Sequence, residues 1–379
     1  MLSQNSWPLG PIILALLASG AIGCSRAPQH EKASSAPAAA KPAVSQAAPA
    51  PEPAPVQPTA ARGAELYARM CAVCHGADGE GYKADQATAL AQPDFLASVS
   101  DDFLGFAIAE GRPGTPMSAW FVGRGGPLLE ADVRALIAFL RSWQKQPSVV
   151  LDEHRATGDR ARGKALFKQT CESCHGAKGP NVRIRDRAWL AHASVGFLRH
   201  AIRKGRAPTT MPGFESSLGE PGIEDVLAYL TSLPAWPTPG ELSAAQQPPP
   251  LPLGPVPLNP KGPAARGFHV YPEMTPVDVV HAQLVRKARM ALLDARVPSD
   301  YAQGHIAGAV SVPFYDPAPY LGALPKNAWL VCYCGCPHAE SGALAEKLVT
   351  AGFKQVTVLD EGLGDWMAKG YPTRTGDKP

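Results

Sequence analysis

Two pentapeptides in this chain set cysteine, cysteine and histidine at one spacing: Cys71-Ala72-Val73-Cys74-His75 and Cys171-Glu172-Ser173-Cys174-His175. A C-x-x-C-H run puts two thiols about one helical turn apart, where each can form a thioether to one vinyl group of a haem while the adjacent imidazole turns to the iron. The C-x-x-C pair alone could instead be half of a zinc site or a redox dithiol. Zinc wants a second ligand pair nearby, and a thioredoxin-like dithiol wants a βαβ setting; the flanking segments supply neither. Two haem c groups are therefore expected on Cys71, Cys74, Cys171 and Cys174, with His75 and His175 as proximal iron ligands. A third cluster has other chemistry. Residues 331–341 read VCYCGCPHAES, with Cys332, Cys334 and Cys336 at alternate positions and His338 after them.

The elements that must position the first two motifs are repeated. RGAELYARMCAVCHG (Arg62–Gly76) and RGKALFKQTCESCHG (Arg162–Gly176) match at an offset of 100 residues. FLGFAIAEGRPGTPM (Phe103–Met117) matches FLRHAIRKGRAPTTM (Phe197–Met211). Each copy closes on a segment with apolar residues at helical spacing, EADVRALIAFLRSW and EPGIEDVLAYLTSL. Three blocks in one order mean a duplicated domain. Met117 and Met211 occupy the same place in the two copies, each after a Gly/Pro/Thr-rich loop. A methionine is often a core gap-filler, but a loop position suits a soft sixth ligand for an electron-shuttling iron. The expected axial pairs are His75/Met117 and His175/Met211. Met70 reads as packing, and His154, His192 and His200, unmatched between the copies, read as solvated.

These motifs resemble the class I cytochrome c family over about residues 61–236. The resemblance implies an all-α fold in which a first helix, with Gly63/Tyr67 and Gly163/Phe167, crosses a last helix bearing Phe139 and Tyr229. It also implies single-electron transfer without substrate chemistry at the iron. The copies differ in charge: residues 61–146 hold 8 Lys/Arg against 10 Asp/Glu, and residues 155–236 hold 13 against 7. The basic excess is either a solvated face or a docking surface for an acidic redox partner at the second haem domain. The whole chain has a formal net charge of only +3, which argues against a nucleic-acid partner.

After a Pro-rich tract the pattern changes. MALLDAR, AVSVPF, WLVCYC and QVTVLD are short apolar runs suited to buried parallel strands, with helical segments between them, so an α/β domain is expected. LLDARVPSDYAQGHIAGAVSVPF (Leu292–Phe314) and VTVLDEGLGDWMAKGYP (Val356–Pro372) resemble the rhodanese family, with Glu361 where the family has a glycine. The resemblance implies that Asp294, Arg296, His305 and Gly308 hold turns and strand ends. It also places Cys334 at the catalytic position, just past the central strand and before a helix starting near Ala339. A helix N-terminus and a nest of backbone N–H groups there lower a thiol pKa and favour a persulfide anion. The loop departs from the family in carrying no Lys or Arg. Cys332 reads as strand packing, Cys334 as the nucleophile and Cys336 as its redox neighbour; a soft-metal site on the three thiols and His338 would need the strand to run past Cys334.

The N-terminus carries no charged residue before Arg26, and an apolar run ends in AIGC at Cys24, which resembles a bacterial lipobox. The expected organisation is a lipoprotein signal peptide (1–23), an Ala/Pro-rich linker (24–60), two cytochrome c domains (61–146 and 155–236), a Pro-rich linker (237–266) and a rhodanese-like domain (267–376). Lipidation at Cys24 would anchor the chain on the periplasmic side of a bacterial membrane; the residue after Cys24 is not Asp, which favours the outer one. The expected function is electron transfer through two haems, coupled to oxidation or transfer of sulfane sulfur held on Cys334. The alternative is a plain electron-shuttling lipoprotein whose rhodanese-like module only docks.

Overall fold

The structure, a computed structural model, describes residues 58–81, 84, 87–112, 115–176, 183–185, 187–207, 209–234, 256–335 and 338–379. The expected signal peptide and first linker, Cys24, most of the second linker, and Cys336 lie outside the described residues.

The first copy contains α1 (Ala60–Leu66), α2 (Ala72–His75), α3 (Pro93–Ser98), α4 (Asp101–Glu110) and α5 (Glu130–Ser142). The second contains α6 (Arg160–Leu166), α7 (Glu172–His175), α8 (Arg187–His192), α9 (Val195–Lys204) and α10 (Glu215–Thr231). Thr59 and Asp159 cap α1 and α6 by accepting the N–H of Arg62 and Arg162. Between α1 and α2 the chain loosens into one π-helical turn, Tyr67–Cys71, and the second copy does the same at Phe167–Cys171. Such widened turns recur at functional sites, and here each delivers its first cysteine. α10 is broken where Gly219 adopts φ 63°, and Pro221 restarts the helix.

One crossing organises each copy. A Cβ on Gly63 would overlap the carbonyl of Ala135 in α5, and one on Gly163 would overlap that of Asp225 in α10. Arg62 Nε donates to Asp132 at 3.1 Å, and Arg162 Nε donates to Asp225 at 2.8 Å. Behind the crossing, Tyr67 packs on Phe139 with ring centroids 5.3 Å apart, and Phe167 packs on Tyr229 at 5.6 Å. The aromatic pairs expected from sequence are in contact.

The C-terminal domain is built on a five-stranded parallel sheet ordered β1 (Met274–Thr275), β6 (Val356–Leu359), β5 (Trp329–Tyr333), β2 (Met290–Asp294) and β4 (Ala309–Ser311). A small antiparallel pair joins β3 (His305–Ile306) to β7 (Thr373–Arg374). Helices α11 (Val277–Val285), α12 (Pro298–Gln303), α13 (Ala339–Thr350) and α14 (Gly362–Ala368) complete it. All five residues of β2 are buried, as the apolar runs require of a sheet covered on both faces. The packing starts earlier than residue 267: Ala264 already bridges to Arg289. Glu361, which replaces the family's glycine, adopts φ 63°, the left-handed conformation that explains the glycine.

The Pro-rich tract suggests independent bodies, but the first copy and the C-terminal domain are packed together. Trp120 lies against Phe314 and Tyr315 with centroids 6.4 and 5.6 Å apart, and Ser118 Oγ donates to Asp300 Oδ2 at 2.6 Å. Substituting Gly63 or Gly163 by Ala should push the crossing helices apart. The expected cost is about 1–3 kcal/mol, read as a lower guanidinium midpoint of the haem-loaded chain; an unchanged midpoint would contradict the close crossing.

Candidate functional site

In the first copy, His75 ends α2 and its Nδ1 faces the carbonyl oxygen of Thr88 at 2.8 Å. That bond fixes the ring and leaves Nε2 for a metal. Burial lowers the His75 pKa, which keeps the imidazole neutral, the form that ligates. Met117 is held by a compact turn: the Arg112 N–H donates to its carbonyl at 2.7 Å, and its own N–H donates to Thr115 Oγ1 at 3.2 Å. The second copy repeats the turn, with Arg206 N–H to Met211 O at 3.0 Å and Met211 N–H to Thr209 Oγ1 at 3.2 Å. The repeated threonines thus have a local reason: each hydroxyl stations a methionine.

Both copies open onto one cavity of ≈ 390 Å³. Its lining brings together Cys71, Cys74, His75 and Met117 of the first copy with His175 and Met211 of the second. Cys171 and Cys174 stand four residues and one residue before His175 on the same helical segment. Thiols, imidazoles and thioethers at the rim of a largely apolar cavity are the donor set and setting that a thioether-bound haem needs, so these residues fit the group. Met70 is buried in the core and also lines the cavity. Between the copies, Phe95, Phe103, Trp189 and Phe197 form one aromatic cluster, with Phe103 and Phe197 5.4 Å apart.

Of the three histidines expected to be solvated, two have other settings. His200 Nε2 meets Asp94 of the first copy at 2.7 Å, and His192 stacks on Phe106 with centroids 3.9 Å apart. His154 is exposed and meets Asp152 at 2.5 Å. Both interdomain contacts arise because the repeat folds back on itself, which one copy's sequence does not reveal. Much of the basic cluster is also matched inside the chain. Arg199 is buried and donates to Glu224 at 2.7 Å, Arg203 meets Glu220, Lys204 meets Glu215, and Arg206 meets Asp94.

The sulfur-bearing site lies where β2 and β5 end side by side, with Asp294 opposite Tyr333. In open parallel sheets the carboxyl edge is where ligands bind. β5 stops at Tyr333, so Cys334 is the first residue of the loop, and the strand does not continue as a three-thiol metal site requires. Among the described residues no group of three or more His, Cys, Asp or Glu could hold a metal ion. Cys332 is buried within β5 and burial pushes its thiol pKa up, consistent with packing. Cys334 is 0 % exposed, and its Sγ lies 3.3 Å from Ser341 Oγ in the first turn of α13.

Two groups beside this loop were assigned no part in it by sequence. Arg296, expected only to hold a turn, does bind Asp294 through Nε at 2.9 Å and Nη2 at 2.6 Å, and it donates to the Gly304 carbonyl. Burial opposes its charge, but the Asp294 carboxylate outweighs burial and keeps the guanidinium protonated. Arg296 also lines a second cavity, of ≈ 270 Å³, together with Asp300, Gly335, Glu340, Thr115 and Pro116. Arg296, from the end of β2, thus brings a guanidinium beside a loop that carries no Lys or Arg, and Asp294 matches its charge. The D-x-R spacing was the available signal, but only the strand order shows that it reaches the loop. Glu340, at 6 % exposure, lines both cavities. Burial first, then the neighbouring Cys334, Asp300 and Asp294, raise its pKa well above the carboxylate range. His338 starts α13 with φ 74° and points Nε2 at Asp360, 3.4 Å away.

Covalent-haem motifs on duplicated helical domains, followed by a parallel-sheet domain with a cysteine at its carboxyl edge, define a dihaem cytochrome joined to an α/β domain. Residues 60–144 match the family model of cytochrome c, 158–230 that of cytochrome C oxidase, cbb3-type, subunit III, and 278–369 that of the rhodanese-like domain. Thiosulfate sulfurtransferase GlpE of Pseudomonas fluorescens is 34% identical over 92 residues, 24% of this chain and 83% of that protein. The chain thus belongs, through its C-terminal domain, to the rhodanese-like family, and its other domains are cytochrome c domains carrying two covalently bound haem c groups. The cbb3-type cytochrome c oxidase subunit FixP of Bradyrhizobium diazoefficiens is 28% identical over 195 residues, 48% of this chain and 63% of that subunit. The HTH-type transcriptional regulator Rv0324 of Mycobacterium tuberculosis is 28% identical over 101 residues, 26% of this chain and 45% of that protein. The chain spans less than two thirds of the length of these last two relatives. No helix among the described residues is long and apolar enough to cross a membrane.

Asp294→Ala would leave the Arg296 guanidinium buried without its carboxylate. A loss of about 3–5 kcal/mol is expected, measured by denaturant unfolding of the full chain. A midpoint equal to wild type would show that the pair is not the main support of this edge.

Proposed function

We propose that the chain is an exported dihaem electron carrier in which Cys334 takes up sulfur from a small sulfur compound and the released electrons enter the haem pair. The observation that carries this reading is a shared wall: Glu340 borders both the haem cavity and the cavity beside Cys334. Two otherwise separable modules are thereby packed with their functional edges together. Cys71, Cys74, His75 and Met117 would hold one haem, and Cys171, Cys174, His175 and Met211 the other. When bound, the two haems supply two one-electron acceptors, and methionine ligation raises their potentials. Joining hydrosulfide, HS⁻, to the Cys334 thiolate as an anionic persulfide forms one S–S bond and releases one proton and two electrons, so the electron numbers match. Ser341 Oγ beside the sulfur and the start of α13 would steady the anionic persulfide. Cys336 would be a redox neighbour.

The electrons would leave to a redox protein, and similarity to FixP supports a partner of the cytochrome c oxidase kind. Docking of an acidic partner at the second haem domain rests on a smaller free positive surface than the sequence count suggests, because Arg199, Arg203, Lys204 and Arg206 each meet a carboxylate within the chain. Lipidation at Cys24 would anchor the chain at the periplasmic side of a bacterial membrane. A second reading, a catalytically degenerate docking module on a plain electron carrier, draws on the complete burial of Cys334.

The readings separate by stopped-flow haem reduction of the full chain with sulfide. Cys334→Ala should slow reduction at least about tenfold, as removal of a nucleophile does. An unchanged rate would leave only the plain carrier.

A further inference from the structure

Cys334 is sealed from bulk solvent, so a sulfur donor needs room beside it. The ≈ 270 Å³ cavity is lined by the neighbours of Cys334: Gly335 follows Cys334 directly, and Glu340 precedes the Ser341 whose hydroxyl lies 3.3 Å from the Cys334 sulfur. Just below the roughly 300–1,000 Å³ typical of ligand pockets, it suits a small molecule. Its opposite wall comes from another domain, since Thr115 and Pro116 belong to the turn that stations Met117. The clasp between Ser118 and Asp300 holds the two walls together. Charge then narrows the ligand. The guanidinium of Arg296 is matched by both oxygens of Asp294 and by the Gly304 carbonyl, and among the described residues the other acid–base groups of the wall are the carboxyls of Asp300 and Glu340. Among the described residues no surplus positive charge awaits a dianion, and taking two negative charges out of water into a pocket without a free counter-charge is penalised.

We propose that this two-domain cavity is the substrate pocket of the sulfur site, and that it takes sulfur species with at most one negative charge, such as an organic hydropersulfide, in preference to thiosulfate. The inference rests on the reactivity of Cys334 proposed above, but not on the coupling to the haems. In the transfer, the Cys334 thiolate attacks the terminal sulfur of R–S–SH. A new S–S bond forms at Cys334, the donor's S–S bond breaks, and its electron pair leaves with the donor as R–S⁻. Cys334–S–SH results, and no oxidant is consumed.

The test uses the haem-loaded full chain, with cysteine hydropersulfide and thiosulfate as probes and the mass of the Cys334 peptide as readout. One added sulfur should appear at least about tenfold faster from the hydropersulfide than from thiosulfate, the scale of a modest charge penalty. Pro116→Phe, which fills the pocket from the cytochrome side, should slow hydropersulfide loading by a similar factor. Its visible spectrum shows whether methionine ligation persists, and the donor comparison needs no variant. Equal or faster loading from thiosulfate overturns the charge selection. Wild-type loading in Pro116→Phe with an intact spectrum overturns the two-domain pocket. A wild-type chain whose Cys334 accepts no sulfur from either donor overturns the inference together with the nucleophile assignment. If loading proceeds as expected while sulfide fails to reduce the haems, the pocket stands and the redox coupling falls.

Discussion

The turn closed by the Arg112 N–H and the Met117 carbonyl has to serve two cavities at once. Its methionine faces the haem cavity of the cytochrome pair, while Thr115 and Pro116, immediately before it, wall the cavity at the edge of the parallel sheet. Such a turn keeps its shape through short backbone and side-chain hydrogen bonds rather than through a core of its own. Displacing one side must therefore move the other. The second copy has the same turn around Met211, but among the described residues only the first copy's turn lines the cavity at the sheet edge, so fusion gave the first copy an added constraint.

Charge follows the same economy of contact. Asp94 of the first copy meets both His200 and Arg206 of the second, and Asp294 occupies Arg296 at the sulfur site. The Asp94 contacts join the two copies, whereas Asp294 and Arg296 pair within one domain, and pairs of this partly buried kind add little net stability. They also explain why a basic composition does not translate into an equally basic surface. Around Cys334 the balance tilts toward carboxyls, which distinguishes this site from a loop that carries its own arginine or lysine.

Much of this was legible in the sequence. The C-x-x-C-H motifs, the matched methionines and the paired glycines Gly63 and Gly163 are local signals, each tied to one covalent or steric requirement. Alternating apolar runs foretold the parallel sheet, and Cys334 could be placed by counting along β5. What one-dimensional reading missed is relational. Arg296 reaches the Cys334 loop because β2 and β5 are neighbours, His200 finds Asp94 because the two copies face each other, and Glu340 becomes a wall because α13 begins between two cavities. The Pro-rich tract, read as a separator, gave no hint that the last domain folds back onto the first.

The central claim is that the sulfur on Cys334 and the haem held by His75 share a wall. A redox titration of both haems in the full chain, with Cys334 unmodified and with it carrying one added sulfur, tests this most directly. The account predicts that the midpoint of the first haem moves on loading while that of the second stays, with the second identified by the lowered potential that Met211→His should give it. Two unmoved midpoints, or a shift confined to the second haem, would contradict it.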